Sequence, residues 1–259
     1  MKTWLGLLTV LMVSNFANGM SLMPELYTEQ AFLARESVVQ QTTRLRLFES
    51  TLERFRPYVT AGSEMMSGGA NATTLDIGGS YAYGGVGLRI GRPNFQWYNE
   101  LRGRAFYTYR PSKLNAQDAL DFRSLIVLSY QIVAPLAAGS DFSFIFEPYM
   151  EILYTSGDFN NVISAGYART GLRYRMNPVM VLDAYLEPYA TFDRVRHFYN
   201  NRADIKPTLR LMVNSSTIGG ALMVSYLWNA YFDRGDFDPN PYRYKNEGMR
   251  VLAVLGATF

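Results

Sequence analysis

The chain has 259 residues, a formal net charge of +3, no cysteine, and an aromatic content of 15% dominated by 19 tyrosines and 16 phenylalanines. The missing cysteines exclude a disulfide framework, a thiolate metal site and a lipoprotein anchor, and the small net charge argues against the concentrated basic face that nucleic acid requires. Only 18% of residues are charged and 21 are glycine, a balance that suits a β-rich protein with tight turns.

The N-terminus reads as an address. Met1 and Lys2 are followed by an apolar run from Trp4 to Val13 and by Ala17-Asn18-Gly19, the pattern of a secretory signal peptide spanning residues 1–19. No later run of about eighteen apolar residues could form a membrane-spanning helix.

Residues 20–54 form the next unit. Leu45, Phe48, Leu52 and Phe55 fall at helical spacing among charged residues, so the pattern predicts an amphipathic helical or periplasmic segment able to dock a periplasmic or envelope-complex protein through residues 24–54.

From residue 55 the period changes to two. Ten strand-like segments follow, at 55–64, 78–91, 96–110, 121–134, 140–155, 161–176, 178–193, 203–214, 219–232 and 247–259. Twelve strands is the alternative if residues 38–48 also enter the sheet. The fifth segment shows the pattern most clearly: in FSFIFEPYMEILY, Phe142, Phe144, Phe146, Pro148, Met150, Ile152 and Tyr154 alternate with a largely polar set. Segments of this length can cross a bilayer as tilted strands. Pro148, and Pro188 in LEPYATF, predict a bulge or a local break in the ladder.

The connections alternate in length. Arg92-Pro93-Asn94, 134–139, Asn177-Pro178 and 214–217 are brief, whereas 65–77, 111–120, 156–160, 194–202 and 233–246 are longer on the whole. Short periplasmic turns and longer outer loops characterise bacterial outer-membrane barrels, and an even strand count returns both termini to the periplasm. Outward aromatics gather at two levels, with Trp97, Phe142, Tyr174 and Phe259 at one rim and Tyr109, Tyr154, Phe192, Trp228 and Phe232 at the other.

The last segment ends on Phe259, with Met249, Val251, Ala253, Leu255 and Ala257 on the same side. Here residues 55–259 resemble the outer-membrane β-barrel superfamily of Gram-negative bacteria. FRPYVTAG, FEPYMEI and LEPYATF are loosely similar to strands of polysaccharide-export porins. The resemblance implies an all-β, transmembrane, antiparallel up-and-down barrel in contact with outer-membrane lipid and lipopolysaccharide, and a terminal Phe259 read by the barrel-assembly machinery.

Parity then assigns the lumen. Arg102, Arg104, Arg110, Arg123, Arg169, Arg173, Arg175, Lys206, Arg210 and Arg250 point inward with Glu100, Asp121, Glu147, Glu151, Asp183, Glu187 and Asp193. In a ten-stranded barrel such charges pair into a network that closes most of the lumen, and a residual basic pathway would favour anions. Glu147 and Glu151 are expected to meet Arg169 and Arg173.

Catalysis has little to work with. The lone His197 follows Asp193 by four residues, a possible acid/base pair for a barrel protease or lipid-modifying enzyme at the outer rim, but it lacks the spacing of omptin-like proteases and a neighbouring serine. Asp233, Asp236 and Asp238 lack the ligand spacing of a calcium loop, and Gly84-Gly85-Val86-Gly87 sits in a strand pattern rather than before a helix. The expectation is a non-enzymatic barrel without metal or cofactor, acting as a narrow channel or as the membrane anchor of an export or envelope complex.

Overall fold

The computed structural model describes residues 22–33, 38–49, 52–68, 81–106, 120–156, 160–194, 201–215, 218–231 and 248–258. The signal peptide expected over 1–19, His197, the Asp233 to Asp238 loop, Tyr109, Arg110, Phe232 and Phe259 lie outside these residues.

Thirteen strand elements follow one another: β1 (Leu22–Leu33), β2 (Val38–Glu49), β3 (Phe55–Gly68), β4 (Tyr81–Arg92), β5 (Phe95–Phe106), β6 (Leu120–Ser129), β7 (Ile132–Pro135), β8 (Phe142–Thr155), β9 (Asn161–Arg175), β10 (Met180–Asp193), β11 (Arg202–Asn214), β12 (Ile218–Tyr231) and β13 (Gly248–Thr258). Sequential neighbours pair antiparallel except β6 and β7, which both pair with β8, and β1 pairs with β13 from Glu25↔Thr258 to Leu33↔Arg250. That last pairing closes the sheet on itself.

β6 and β7 are two halves of one stave. Ser129 faces Tyr149 and Ile132 faces Phe146, so the register runs on without an inserted residue. The ladder is interrupted where Tyr130 faces Pro148: the Tyr130 amide donates to the Pro148 carbonyl at 3.0 Å, and proline has no amide to return. The break expected at Pro148 is therefore present, and the bulge is not. Around Pro188 the β9 pairing likewise skips two residues and resumes in the same register, from Leu186↔Thr170 to Tyr189↔Tyr167.

The barrel thus has twelve staves, the alternative count rather than ten. The two additional staves are β1 and β2, which lie where a helical segment was expected over residues 20–54. Their described residues are strand, and among the described residues the wall already includes Leu22 rather than starting at residue 55. The helical spacing was coincidental: Leu45 faces outward, Phe48 is fully buried inside, Leu52 lies in a turn and Phe55 opens β3. The outer face of β1 and β2 carries Thr28, Gln30, Gln41 and Thr43 near mid-strand, which hides the alternation that marks the other strands.

The two ends of the barrel differ. The end bearing Leu22 and Thr258 has short connections, such as 93–94, 136–141 and 176–179, and the other end has 69–80, 107–119 and 232–247. The short turns are shaped by their own side chains: the Asn177 carboxamide oxygen accepts from the amides of Val179 and Met180 at 2.9 and 2.8 Å. Phe142 and Tyr174 meet at this end with ring centroids 4.9 Å apart, while Phe122 and Tyr154 meet near the other at 6.2 Å.

The wall is inverted relative to a water-soluble protein. Leu186, Leu209, Leu222, Leu255 and Trp228 are exposed on the outside, while Arg102, Glu100, Asp121, Asp183, Glu187 and Arg210 are buried within. A lipid environment satisfies the first set and the closed barrel protects the second. On β3 and β4 the interior tyrosines interlock with glycines. Tyr58 faces Gly87 and Tyr83 faces Gly62, and a Cβ on Gly87 would lie 2.4 Å from the Tyr58 ring. A Cβ on Gly62 would meet the Tyr83 ring at 2.6 Å, so each tyrosine lies flat over a glycine of its neighbour.

Candidate functional site: the charged lumen

Period-two alternation sets the lumen chemistry. Because paired residues share a face, Glu147, Arg169, Glu187 and Lys206 project inward from four successive staves, as do Arg173, Asp183 and Arg210. Two arcs of charge result.

The first arc spans β7 to β11. Asp183, with no exposed surface, accepts from Arg173 Nε at 2.8 Å and from Arg210 Nη2 at 2.6 Å. Arg210 Nη2 also reaches both oxygens of Glu147 at 2.9 and 3.0 Å. Arg173 and Arg169 approach the same carboxylate at 3.4 and 3.6 Å, and Gln131 donates to it at 2.6 Å. Glu187 holds Arg169 at 2.7 Å and Lys206 at 2.5 Å. Glu151 does not join this network directly; it accepts from the Tyr149 hydroxyl at 2.5 Å.

The second arc spans β1 to β5. Glu100 accepts from the Tyr58 hydroxyl at 2.8 Å, pairs with Arg102 on its own strand, and faces Arg46 at 3.6 Å. Arg46 lies over the rings of Tyr58 and Tyr98, and Arg102 lies 4.2 Å over Tyr83. Glu25 joins Arg44 at 3.6 Å, and across the closing seam Arg250 meets Glu29 at 3.8 Å. Between the arcs, Asp121 is sealed by Arg123 and Thr155, each at 2.7 Å.

Arg102, Arg104, Arg123, Glu147, Glu151, Arg169, Arg173, Asp183, Glu187 and Arg210 all lie on inward positions, and Arg175 sits exposed at the short-turn end of β9. Tyr27, Glu25, Glu29, Arg44 and Arg46 also face the lumen, which a helical reading of residues 20–54 does not reveal. The signal was present as Glu25, Tyr27, Glu29 and Arg44, Arg46, alternating residues on one face. Asp193 ends β10 opposite Ile163.

The charge bridges follow the wall. The longest of them, Arg46 to Glu100 and Arg210 to Glu147, run from β2 to β5 and from β8 to β11. Closure of the lumen by paired charges holds for the narrow bore of ten strands; barrel diameter grows with strand number, and twelve staves leave a wider cross-section. At the short-turn end the β7–β11 arc opens into a cavity of about 360 Å³ lined by Asn94, Glu147, Tyr167, Arg169, Arg173, Arg210 and Asn214. Its three arginines are each held by a carboxylate of the arc, Glu147, Asp183 or Glu187.

Among solved structures, the chain is similar to LpxR from Salmonella typhimurium, with a TM-score of 0.55 and 6% identity over 91% of this chain and 100% of that one. The fold is that of an outer-membrane β-barrel. An outer membrane channel from Pseudomonas putida F1 aligns at a TM-score of 0.45 and 11% identity, covering 94% of this chain and 97% of that chain. No protein-family model matches the chain, and no curated protein matches it significantly.

Proposed function

We propose that this barrel is a channel in the outer membrane of a Gram-negative bacterium, with both termini on the periplasmic side and a water-filled, arginine-rich lumen that favours anions. The observation that carries the reading is the solvent access of inward charges: the side chains of Arg44, Glu25, Glu29 and Arg250 keep 28% to 29% of their surface exposed while facing the lumen. Rings of basic side chains favour anion passage. The anchor alternative rested on a helical docking arm, and β1 and β2 occupy that stretch instead, which favours the channel. Lipid and lipopolysaccharide would contact the outer wall, and the assembly machinery would read the C-terminal strand. No covalent chemistry is assigned to the lumen.

Planar-bilayer recording of the purified protein tests this. Steady current with anion selectivity is expected, and Arg44→Glu with Arg250→Glu should shift selectivity toward cations while the barrel stays folded. Absence of current from a folded barrel overturns the channel; unchanged selectivity removes the role given to the arginines.

A further inference from the structure

The outer wall is not uniform. On β10 to β13, outward mid-strand positions are filled by Leu186, Leu209, Leu222, Val224 and Leu255, all strongly exposed. On β1 to β3 the equivalent positions read Thr28↔Thr43↔Ser63 in one row and Gln30↔Gln41↔Met65 in the next. Thr28 and Thr43 satisfy each other through a 3.2 Å hydroxyl contact. Gln30 is exposed. A carboxamide facing hydrocarbon carries donors and an acceptor that lipid cannot meet.

We infer that this face is the contact between two copies of the chain, packed across a two-fold axis along the membrane normal. Three features of the patch favour a second copy. A carboxamide is both donor and acceptor, so Gln30 and Gln41 complement the same residues related by a two-fold axis. The patch carries no formal charge, so like charges do not oppose each other across the axis. The Thr28 row continues onto β4 at Ser63↔Ala82, and the adjoining Leu26↔Leu45 row continues at Ala61↔Gly84, small outward residues that let two walls approach closely. The inference is independent of what passes through the lumen.

The absence of native cysteine makes the test direct. Full-length protein carrying Gln30→Cys, reconstituted in lipid bilayers and oxidised, should form a disulfide-linked species at twice the monomer mass. Met150→Cys, on an exposed outward position of β8 across the barrel, should remain monomeric. Gln30→Leu with Gln41→Leu should keep the heat-dependent gel shift of a folded barrel but convert the reconstituted protein to monomer. A wild-type monomer in bilayers, equal cross-linking at positions 30 and 150, or cross-linking in cells to a different protein would each overturn the proposal.

Discussion

Asp183 and Glu25 are both lumen carboxylates beside arginine, but their surroundings assign them different weights. Asp183 has no exposed surface and serves Arg173 and Arg210 together, whereas Glu25 retains 29% exposure and meets Arg44 at 3.6 Å. Removing one member of a buried ion network leaves charge uncompensated and costs about 3–5 kcal/mol, while an exposed pair is worth about 0–1 kcal/mol. Asp183→Asn should therefore lower the unfolding midpoint in urea markedly and Glu25→Gln hardly at all; equal effects would mean that burial does not control the network. The tyrosine-glycine interlock makes a second residue-level claim. Gly87→Ala pushes a methyl into the Tyr58 ring, an overpacking cost of about 1–3 kcal/mol. Tyr58→Ala in the same chain should recover less than that, because Glu100 then loses a hydrogen bond.

At the scale of the strand, proline acts by subtraction. Pro148, Pro188 and Pro207 each coincide with a gap in a ladder, and in each case the register on the two sides of the gap is the same. Glu147, Glu187 and Lys206 immediately precede these prolines and face the lumen, so the charge pattern survives the missing bonds. Pro148→Ala should supply an amide opposite the Tyr130 carbonyl and join β6 to β7. The check is hydrogen exchange: a slowly exchanging amide at position 148, and slower exchange at 130, are expected. Prolines could be seen in the sequence, but a break and a bulge look alike there, because only pairing reveals whether a residue has been inserted. Strands β3 to β13 are legible in the sequence wherever an apolar outward set meets a polar inward set, as in Phe144, Phe146, Met150 and Ile152. β1 is not, and β2 enters only as the twelve-strand alternative over 38–48, since Thr28, Gln30, Gln41 and Thr43 make the outward set polar too. The Glu147 partners Arg169 and Arg173 lie on the adjacent strand and follow from parity; Arg210 lies three staves away and needed the curvature of the wall.

At the scale of the whole molecule, the asymmetry of the two ends becomes an orientation. Short turns share one end with Leu22 and Thr258, and that end should face the periplasm. Single cysteines at Ser140, in the turn 136–141, and at Arg194, just beyond β10, separate the two faces. In intact cells a membrane-impermeant maleimide should label Arg194→Cys and spare Ser140→Cys, and the reverse pattern would invert the assignment. The seam between β1 and β13 has one more consequence. It joins residues more than two hundred positions apart, from Glu25↔Thr258 onward, so the loop it closes is nearly the whole barrel. Until β13 arrives, β1 and β12 both present bare backbone edges that hydrocarbon cannot satisfy. A polypeptide cut short before β13 would carry two unpaired edges that a bilayer does not satisfy. Closure of the barrel therefore waits on its last strand.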